Sequence, residues 1–293
     1  MFFRFSRNDL PPTSLQLAAT VIQFMHRHCL TRACIDDLCQ LLRTLNIKNA
    51  PKSFASIKRM LVPDNIAAKG REYAICTECN KLSNRESRCP NSNCSQNKQY
   101  LKKPMDLLVL PISSQLRTTI ISSNFSFIKH KRESNVLADI TDGDRYKQIE
   151  KQEHGRFLTL TLNVDGVQVA KSSNKSLWMF TLVLNELPRT ERFKQQNLIL
   201  AAVASCDRKP SRLQMQVILQ TLVYQLKHLE DGLSIEFDQH HEEVFRIFLI
   251  SCCCDKPAQS LVQNLNEPTG PYGCGRCTLL GKVFQIRICS LIL

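Results

Sequence analysis

The sequence predicts an α/β (α+β) protein whose mixed sheet, with the element order β-β-β-α-β-α, follows a small helical segment and a four-cysteine module. Three observations predict this class. Short apolar or alternating runs rich in β-branched residues recur from residue 156 onward. One long segment, 211–229, has apolar residues at helical spacing, and a group of cysteines stands apart upstream at 76–94.

The first 65 residues favour short helices over 14–29, 33–46 and 53–61, with Ser14 as an N-cap and a break at Pro63. Such a segment could be a helix-turn-helix DNA reader or a three-helix bundle that only packs. No residue in it identifies a recognition helix, so both interpretations stay open.

The second half of the chain supplies the predicted sheet. Strands are expected at 157–164, 176–187 and 197–205, followed by the helix at 211–229. A buried strand is expected at Val244–Cys254, and Pro257 opens a last helix over 257–265. The polar segment 129–153 is the best domain boundary. The predicted organisation is a helical segment at 1–65, a cysteine module at 66–104, a polar connector at 105–155, a partial core at 156–281 and a divergent end at 282–293.

The charge of the chain favours a polyanionic partner. The 293 residues carry a formal charge of +13, and residues 1–150 hold 23 Lys and Arg against 13 Asp and Glu. A nucleic acid is the commonest target of such an excess. No apolar run has the length of a signal peptide or a membrane span, so an intracellular protein without a membrane partner is expected. In that compartment paired cysteines favour metal ligation over disulfides.

The cysteines with metal-ligand spacing are Cys76, Cys79, Cys89 and Cys94. Two pairs on turn-sized spacings, separated by a short loop, are typical of a closed tetrahedral Zn²⁺ site. Asn80 and Asn91 supply the turns. Because four thiolates leave no position for water, the predicted role of Zn²⁺ is structural. The alternative is a group of unrelated free thiols.

Two aspartates follow predicted strands. Asp165 ends the first strand and Asp255 ends the fourth. If these strands are neighbours, their carboxylates meet at one edge and can bind Mg²⁺ or Mn²⁺ for phosphodiester cleavage or strand transfer. Alternatively, Asp165 starts a turn with Gly166 and Asp255 caps a helix.

Several segments resemble transposases of the CACTA (En/Spm-like) superfamily, particularly its animal members. The resemblance runs from roughly residue 70 to 281 and is carried by LTLTLNVDGVQVAKSSNKSLWMFTLVLNELP, ISCCCDKPAQSLVQNL, GPYGCGRC and ADITDGDRYKQI. It implies a ribonuclease-H-like fold with a DDE/D metal triad, in which Asp165 is the first acid and Asp255 the second. It also implies that Cys274 and Cys277 form half of a further zinc site at the start of an insertion.

The third acid of that triad has no counterpart. It should lie on a helix beyond the insertion, but after Gly281 the chain reads KVFQIRICSLIL, and Glu267 is a poor substitute by position. We therefore expect a transposase-like protein that is catalytically incomplete. The resemblance implies transposon-end DNA as partner, a nuclear location and no small-molecule substrate; a homo-oligomer is compatible with it.

Two other classes remain open: a transposon-derived scaffold that binds nucleic acid or protein without catalysis, and a zinc-stabilised protein-interaction module with no DNA role. Two further motifs have ordinary explanations. The run Cys252-Cys253-Cys254 is expected to be small apolar packing in a buried strand. His240-His241 with Glu242-Glu243 is expected to cap a solvated turn.

Overall fold

The computed structural model describes residues 11–61, 70–84, 87–123, 137–169, 175–238, 241–266, 270–275, 282–284 and 287–289. The chain divides into two compact units, Met1–Lys69 and Gly70–Leu293. Among the residues described, no helix combines the length and the apolar character needed to cross a membrane.

The N-terminal unit contains the three predicted helices, α1 (Ser14–Arg27), α2 (Arg32–Thr44) and α3 (Phe54–Leu61). The Thr31 hydroxyl caps α2 by accepting the backbone N–H of Cys34. The apolar faces of the helices bury a common small core of Ala18, Val21, Ile35, Cys39 and Ile57.

The second unit is built on one mixed sheet. Its described strands are β1 (Arg71–Ile75), β2 (Leu82–Asn84), β3 (Met105–Val109), β4 (Phe157–Gln168), β5 (Ser176–Leu184), β6 (Ile199–Cys206), β7 (Leu233–Asp238) and β8 (His241–Cys254). Their order across the sheet is β2-β1-β3-β6-β5-β4-β8-β7. Strand β4 is antiparallel to β5 and parallel to β8, with a bulge between Leu160 and Thr161.

The helices of this unit are α4 (Ile112–Ser122), α5 (Asp144–Gln152), α6 (Arg189–Arg192), α7 (Arg212–Asp231) and α8 (Lys256–Val262). A separate hairpin joins β9 (Lys282–Phe284) to β10 (Arg287–Cys289). Helix α7 starts with a capping box between Ser211 and Gln214 and ends before Gly232, whose φ is +132°. Its apolar face packs against the sheet and buries Met215, Ile218, Leu222, Leu226 and Leu229 in the main core.

The predicted β-β-β-α-β-α order lacks one strand that the structure contains. Strand β7 lies between α7 and β8 and pairs with the first residues of β8, from His241 to Phe245. The segment that sequence analysis assigned to a solvated turn at His241–Glu243 is therefore the start of an antiparallel strand, and His240 lies outside the described residues. Alternating Leu233 and Ile235 are buried and provide the physical reason for this strand.

The cysteine module and part of the connector belong to the sheet, which differs from the boundaries predicted at 104 and 155. Strand β1 pairs with β3, and β3 pairs with β6 through Asp106–Val109. Every second residue of β3 is buried, and α4 adds Leu116 and Ile120 to the main core. Pairing with β6 and burial of these apolar residues make 105–122 part of the folded layer.

The described part of the connector from residue 137 onward is anchored by a largely buried ion pair. Arg192 donates from both terminal nitrogens to the Asp139 carboxylate, at 2.7 Å each. Arg192 is 6% exposed at its side chain, and it also donates to the backbone oxygens of Asn185 and Leu187. This bidentate contact lowers the pKa of Asp139 and holds residues near 139 against the end of β5.

Candidate metal-binding sites

The cysteine cluster, defined as Cys76, Cys79, Cys89 and Cys94, is formed by two tight backbone turns. The first follows β1, where the N–H of Cys76 bonds to the Lys81 oxygen at 3.1 Å and that of Asn80 to the Cys76 oxygen at 2.9 Å. Asn80 has φ +58°, the left-handed conformation that Asn tolerates in a turn. In the second turn the Cys94 N–H bonds to the Asn91 oxygen at 3.0 Å, so the predicted turn roles of both asparagines are confirmed.

The geometry of the cluster suits a tetrahedral ion. Its four sulfurs lie within 4.8 Å of one another, with Cys76 to Cys94 at 3.8 Å and Cys79 to Cys89 at 3.4 Å. Zinc–sulfur bonds of about 2.3 Å would place tetrahedral sulfurs about 3.8 Å apart. Burial raises the pKa of Cys76, and it raises that of Cys89 to about 12, so a cation would be needed to favour these two thiolates. Burial also acts to raise the pKa of Cys79, but hydrogen bonds lower it to about 7. The cluster could hold a metal ion such as zinc.

The two predicted aspartates lie at matching positions on neighbouring parallel strands. The last paired residues of β4 and β8 are Val164 and Cys254, and Asp165 and Asp255 come immediately after them. Both aspartates are exposed. The two carboxylates also influence a common group: the Cys252 thiol lowers the pKa of Cys254 to about 7, while Asp255 and Asp165 both act to raise it.

The structure contradicts the alternative explanation for Asp165, a turn, and confirms the one for Asp255, a helix cap. Asp165 does not start a turn with Gly166, because β4 continues to Gln168 and pairs Asp165 with Met179 and Gly166 with Trp178. Asp255 does cap α8, since one carboxylate oxygen accepts the backbone N–H of Ala258 at 2.8 Å. We call Asp165 and Asp255 the aspartate pair.

The other predicted ligands do not join either site in the described structure. Within the described ranges, the cysteine cluster is the one group of at least three potential ligands, so no third carboxylate, cysteine or histidine completes the aspartate pair there. Cys274 is half-buried in the loop after α8, whereas Cys277 and Glu267 lie outside the described residues.

The expectation that all three consecutive cysteines are packed is wrong for two of them. Cys254 packs against the main core, but Cys252 and Cys253 are exposed. The reason is the edge of the sheet: β7 pairs with β8 only as far as Phe245, so among described strands the edge of β8 that faces away from β4 is unpaired beyond that residue.

A pocket of about 420 Å³ lies beside Asp255, and we call it the indole pocket. It is lined by Gly166, Gln168, Ser176, Trp178, Arg208, Lys209, Asp255 and Pro257. The sequence singled out Ser176 and Trp178 only as part of a resemblance, and it gave no indication of Arg208 and Lys209. The sequence feature that could have indicated Arg208 and Lys209 is the basic pair in the segment SCDRKPS, which lies between the third predicted strand and the long helix.

Comparison with known proteins identifies one family. The family described as a protein of unknown function, DUF1258, matches residues 69–288, which include the cysteine cluster, the aspartate pair and the whole described sheet. No curated protein matches the chain. The match covers most of the chain, and the protein belongs to the DUF1258 family.

Proposed function

We propose that this chain is a transposase-like DNA-binding protein related to the CACTA superfamily. In this proposal, its aspartate pair belongs to a centre for metal-dependent DNA strand cleavage and transfer. The observation that carries the proposal is the placement of Asp165 and Asp255 directly after paired residues of adjacent parallel strands. Carboxylates at such adjacent positions of neighbouring strands can share a hard divalent cation.

The topology around the pair supports a ribonuclease-H-like assignment for the core. Three successive antiparallel strands, β4, β5 and β6, are followed by α7 and then by β8, which returns parallel to β4. This places the first and fourth strands of the proposed core side by side, as the assignment requires. Strand β7 at the edge is an addition to that pattern.

The aspartate pair fits a divalent cation in chemistry but offers few ligands. Asp165 and Asp255 would hold the ion, which when bound polarises a phosphodiester and activates the attacking oxygen. The Ala258 N–H fixes one oxygen of Asp255, so this carboxylate is oriented before any ligand arrives. With two carboxylates alone, binding of Mg²⁺ or Mn²⁺ is expected to be weak and catalysis low.

We assign a structural Zn²⁺ to the cysteine cluster. Its four sulfurs already have the spacing of a closed site, and the segment that holds them buries little else. Its position next to β1 and β3 means that the ion would stabilise the outer strands of the sheet.

DNA is the proposed partner. The excess of positive charge in residues 1–150 supports it, as does the resemblance to transposases, from which transposon ends follow as the target. A nuclear location belongs to the same proposal, and a homo-oligomer is compatible with it.

A second function is favoured by one specific observation. Because no third ligand joins the aspartate pair among the described residues, the fold could serve as a nucleic-acid or protein scaffold without catalysis. This function predicts DNA affinity that falls steeply with salt, and no cleavage at any Mg²⁺ or Mn²⁺ concentration.

Nicking of supercoiled DNA that carries the element's ends tests the first function. We expect weak nicking in Mn²⁺ or Mg²⁺ that is lost in Asp165→Ala and in Asp255→Asn. Nicking that persists unchanged in Asp165→Ala would show that the assigned centre is wrong. Salt-sensitive DNA binding without any nicking would favour the scaffold.

A further inference from the structure

Two residues that line the indole pocket carry buried polar atoms without a hydrogen-bond partner in the described structure. Trp178 is 6% exposed, and its indole Nε1–H, a donor only, has no hydrogen-bond partner among the described residues. The buried hydroxyl oxygen of Ser176 likewise has none in the described structure. An unpaired buried donor is costly, so two in one pocket indicate a missing acceptor.

Positive charge is placed at the same pocket. Arg208 and Lys209 lie in the loop between β6 and α7, and both are exposed. Arg208 and Lys209 also line a second cavity of about 710 Å³, between this loop and the segment holding Lys102 and Lys103. The two cavities share this cation pair in their linings. Glu78 and Asp207 also line the larger cavity, where Lys102 pairs with Glu78 at 2.6 Å.

The backbone makes room for the indole in this arrangement. Gly166 and Trp178 are cross-strand partners, and a Cβ at Gly166 would lie 2.7 Å from the Trp178 ring. Glycine at this position lets the ring approach β4 closely, next to Asp165.

From these features we infer that the indole pocket is a phosphate-binding subsite, which seats a phosphodiester group of a DNA strand beside Asp255 of the aspartate pair. The Arg208 guanidinium and the Lys209 ammonium bind the phosphate oxygens, and Ser176 and Trp178 supply neutral donors. Asp255 is the one carboxylate among the lining residues, and a cation on it would remove its repulsion of a phosphate. The inference rests on the proposed function and identifies which residues hold the strand.

Trp178 provides a direct readout, because it is the only tryptophan in the chain. The zinc-loaded full chain is titrated with a short single-stranded oligodeoxythymidylate in Ca²⁺, and both tryptophan emission and the indole ¹H–¹⁵N resonance are followed. We expect a saturable change in both signals. Inorganic phosphate and polyglutamate serve as comparison ligands.

Variants separate this site from general charge attraction. Arg208→Ala with Lys209→Ala should weaken oligonucleotide binding about tenfold or more, as loss of charged hydrogen bonds predicts. Ser176→Ala should weaken it by a smaller factor. The matched control, Arg145→Ala with Lys151→Ala, removes the same charge from exposed positions on α5 and should leave affinity within about twofold.

Three results would overturn the inference: equal weakening by both double variants, oligonucleotide binding that leaves the Trp178 signals unchanged, or an equal response to inorganic phosphate or polyglutamate. Asp165→Ala distinguishes this inference from the proposed function. If it abolishes nicking but keeps the Trp178 response, both stand. If the response depends on Arg208 and Lys209 while nicking is absent or independent of Asp165, the subsite stands and the catalytic proposal fails.

Discussion

Gly166 and Trp178 form the tightest contact next to the aspartate pair. Side chains alternate along β4, so Gly166 lies on the same face of the strand as Val164. The buried ring of Trp178, on the partner strand β5, packs against Gly166 on this face. A side chain at this position would meet the ring at 2.7 Å from Cε2 and 2.8 Å from Cζ2. The Asp-Gly dipeptide therefore reflects close packing of two strands and not a turn.

Gly166→Ala should destabilise the fold by about 1 to 3 kcal/mol, because the ring or β4 must shift to admit a methyl group. The emission of Trp178 should shift at the same time. Chemical denaturation and fluorescence measure both effects. Gly155→Ala is the control, since nothing lies within 4 Å of a Cβ there, and it should change stability by less than about 0.5 kcal/mol. Equal effects of the two substitutions would contradict this packing.

Glu186 belongs to a polar network at the other end of β4. Its carboxylate accepts the backbone N–H of Thr159 at 2.9 Å and the Thr159 hydroxyl at 2.7 Å. Asn185 and Thr161 extend the network to Ser251 of β8. Burial raises the pKa of Glu186 to about 7, although the hydrogen bonds from Thr159 act in the opposite direction.

This pKa predicts how stability depends on pH. A folded-state pKa raised from 4.5 to about 7 means that the protonated form favours the folded state, so this contribution is complete below pH 4.5 and is lost as the pH rises through about 7. Glu186→Gln should therefore flatten the fall in unfolding free energy across that window, as measured by urea titration at several pH values. Asp139 acts at lower pH, since its pKa is lowered from 3.8 and its contribution is lost on acidification. An unchanged slope in Glu186→Gln, relative to the exposed-site control Glu230→Gln on α7, would refute the assignment.

At the scale of elements, β8 was predicted only in part. The apolar run at 244–254 indicated a buried strand, but a run of this kind cannot show whether both edges of the strand are paired. Its first residues pair with β7 and its last residues have one open edge among the described strands, so Cys252 and Cys253 are exposed. The short strand β7 was missed because its six residues, LSIEFD, follow a strong helix directly and carry only a brief alternation.

The cysteine cluster and the strands beside it make an element that depends on one ion. Removing the metal with a chelator, or Cys89→Ser, should increase hydrogen exchange in β1 and β2 and leave β4, β5 and β8 protected. Loss of a structural ion removes the link between two turns, whereas the central strands keep the main core. Hydrogen exchange with mass spectrometry resolves these segments. Cys253→Ser, at an exposed thiol, is the control; global loss of protection in Cys89→Ser, or none at all, would contradict the prediction.

At the scale of the whole molecule, one sheet joins segments that the sequence suggested were separate. The pairing of β3 with β6 brings together Asp106 and Ser205, which are about a hundred residues apart in the chain. A pattern among neighbouring residues in the sequence cannot predict a contact over that separation. Local signals did predict the three N-terminal helices, helix α7 and the ligand spacing of the cysteine cluster. They also predicted that Asp255 directly follows a strand, whereas Asp165 lies within β4, which continues to Gln168.

The residues of the site that the sequence did not predict are those whose role depends on the tertiary structure. In the sequence, Arg208 and Lys209 look like ordinary loop residues. Only the fold shows that their loop lies beside Trp178 and Asp255 in the lining of one pocket. Ser176 and Trp178 looked like strand residues, and only the fold shows that their polar atoms are buried without partners in the described structure.

The most direct test of the central claim is Mn²⁺ binding to the aspartate pair. Electron paramagnetic resonance of the zinc-loaded full chain, titrated with Mn²⁺, measures the bound ion without requiring catalysis. The account predicts a weak, saturable Mn²⁺ site that is lost in Asp165→Asn and in Asp255→Asn but kept in Asp144→Asn, a change at an exposed acid on α5. Identical Mn²⁺ binding in the native chain and both site variants, or no saturable binding in any of them, would contradict it.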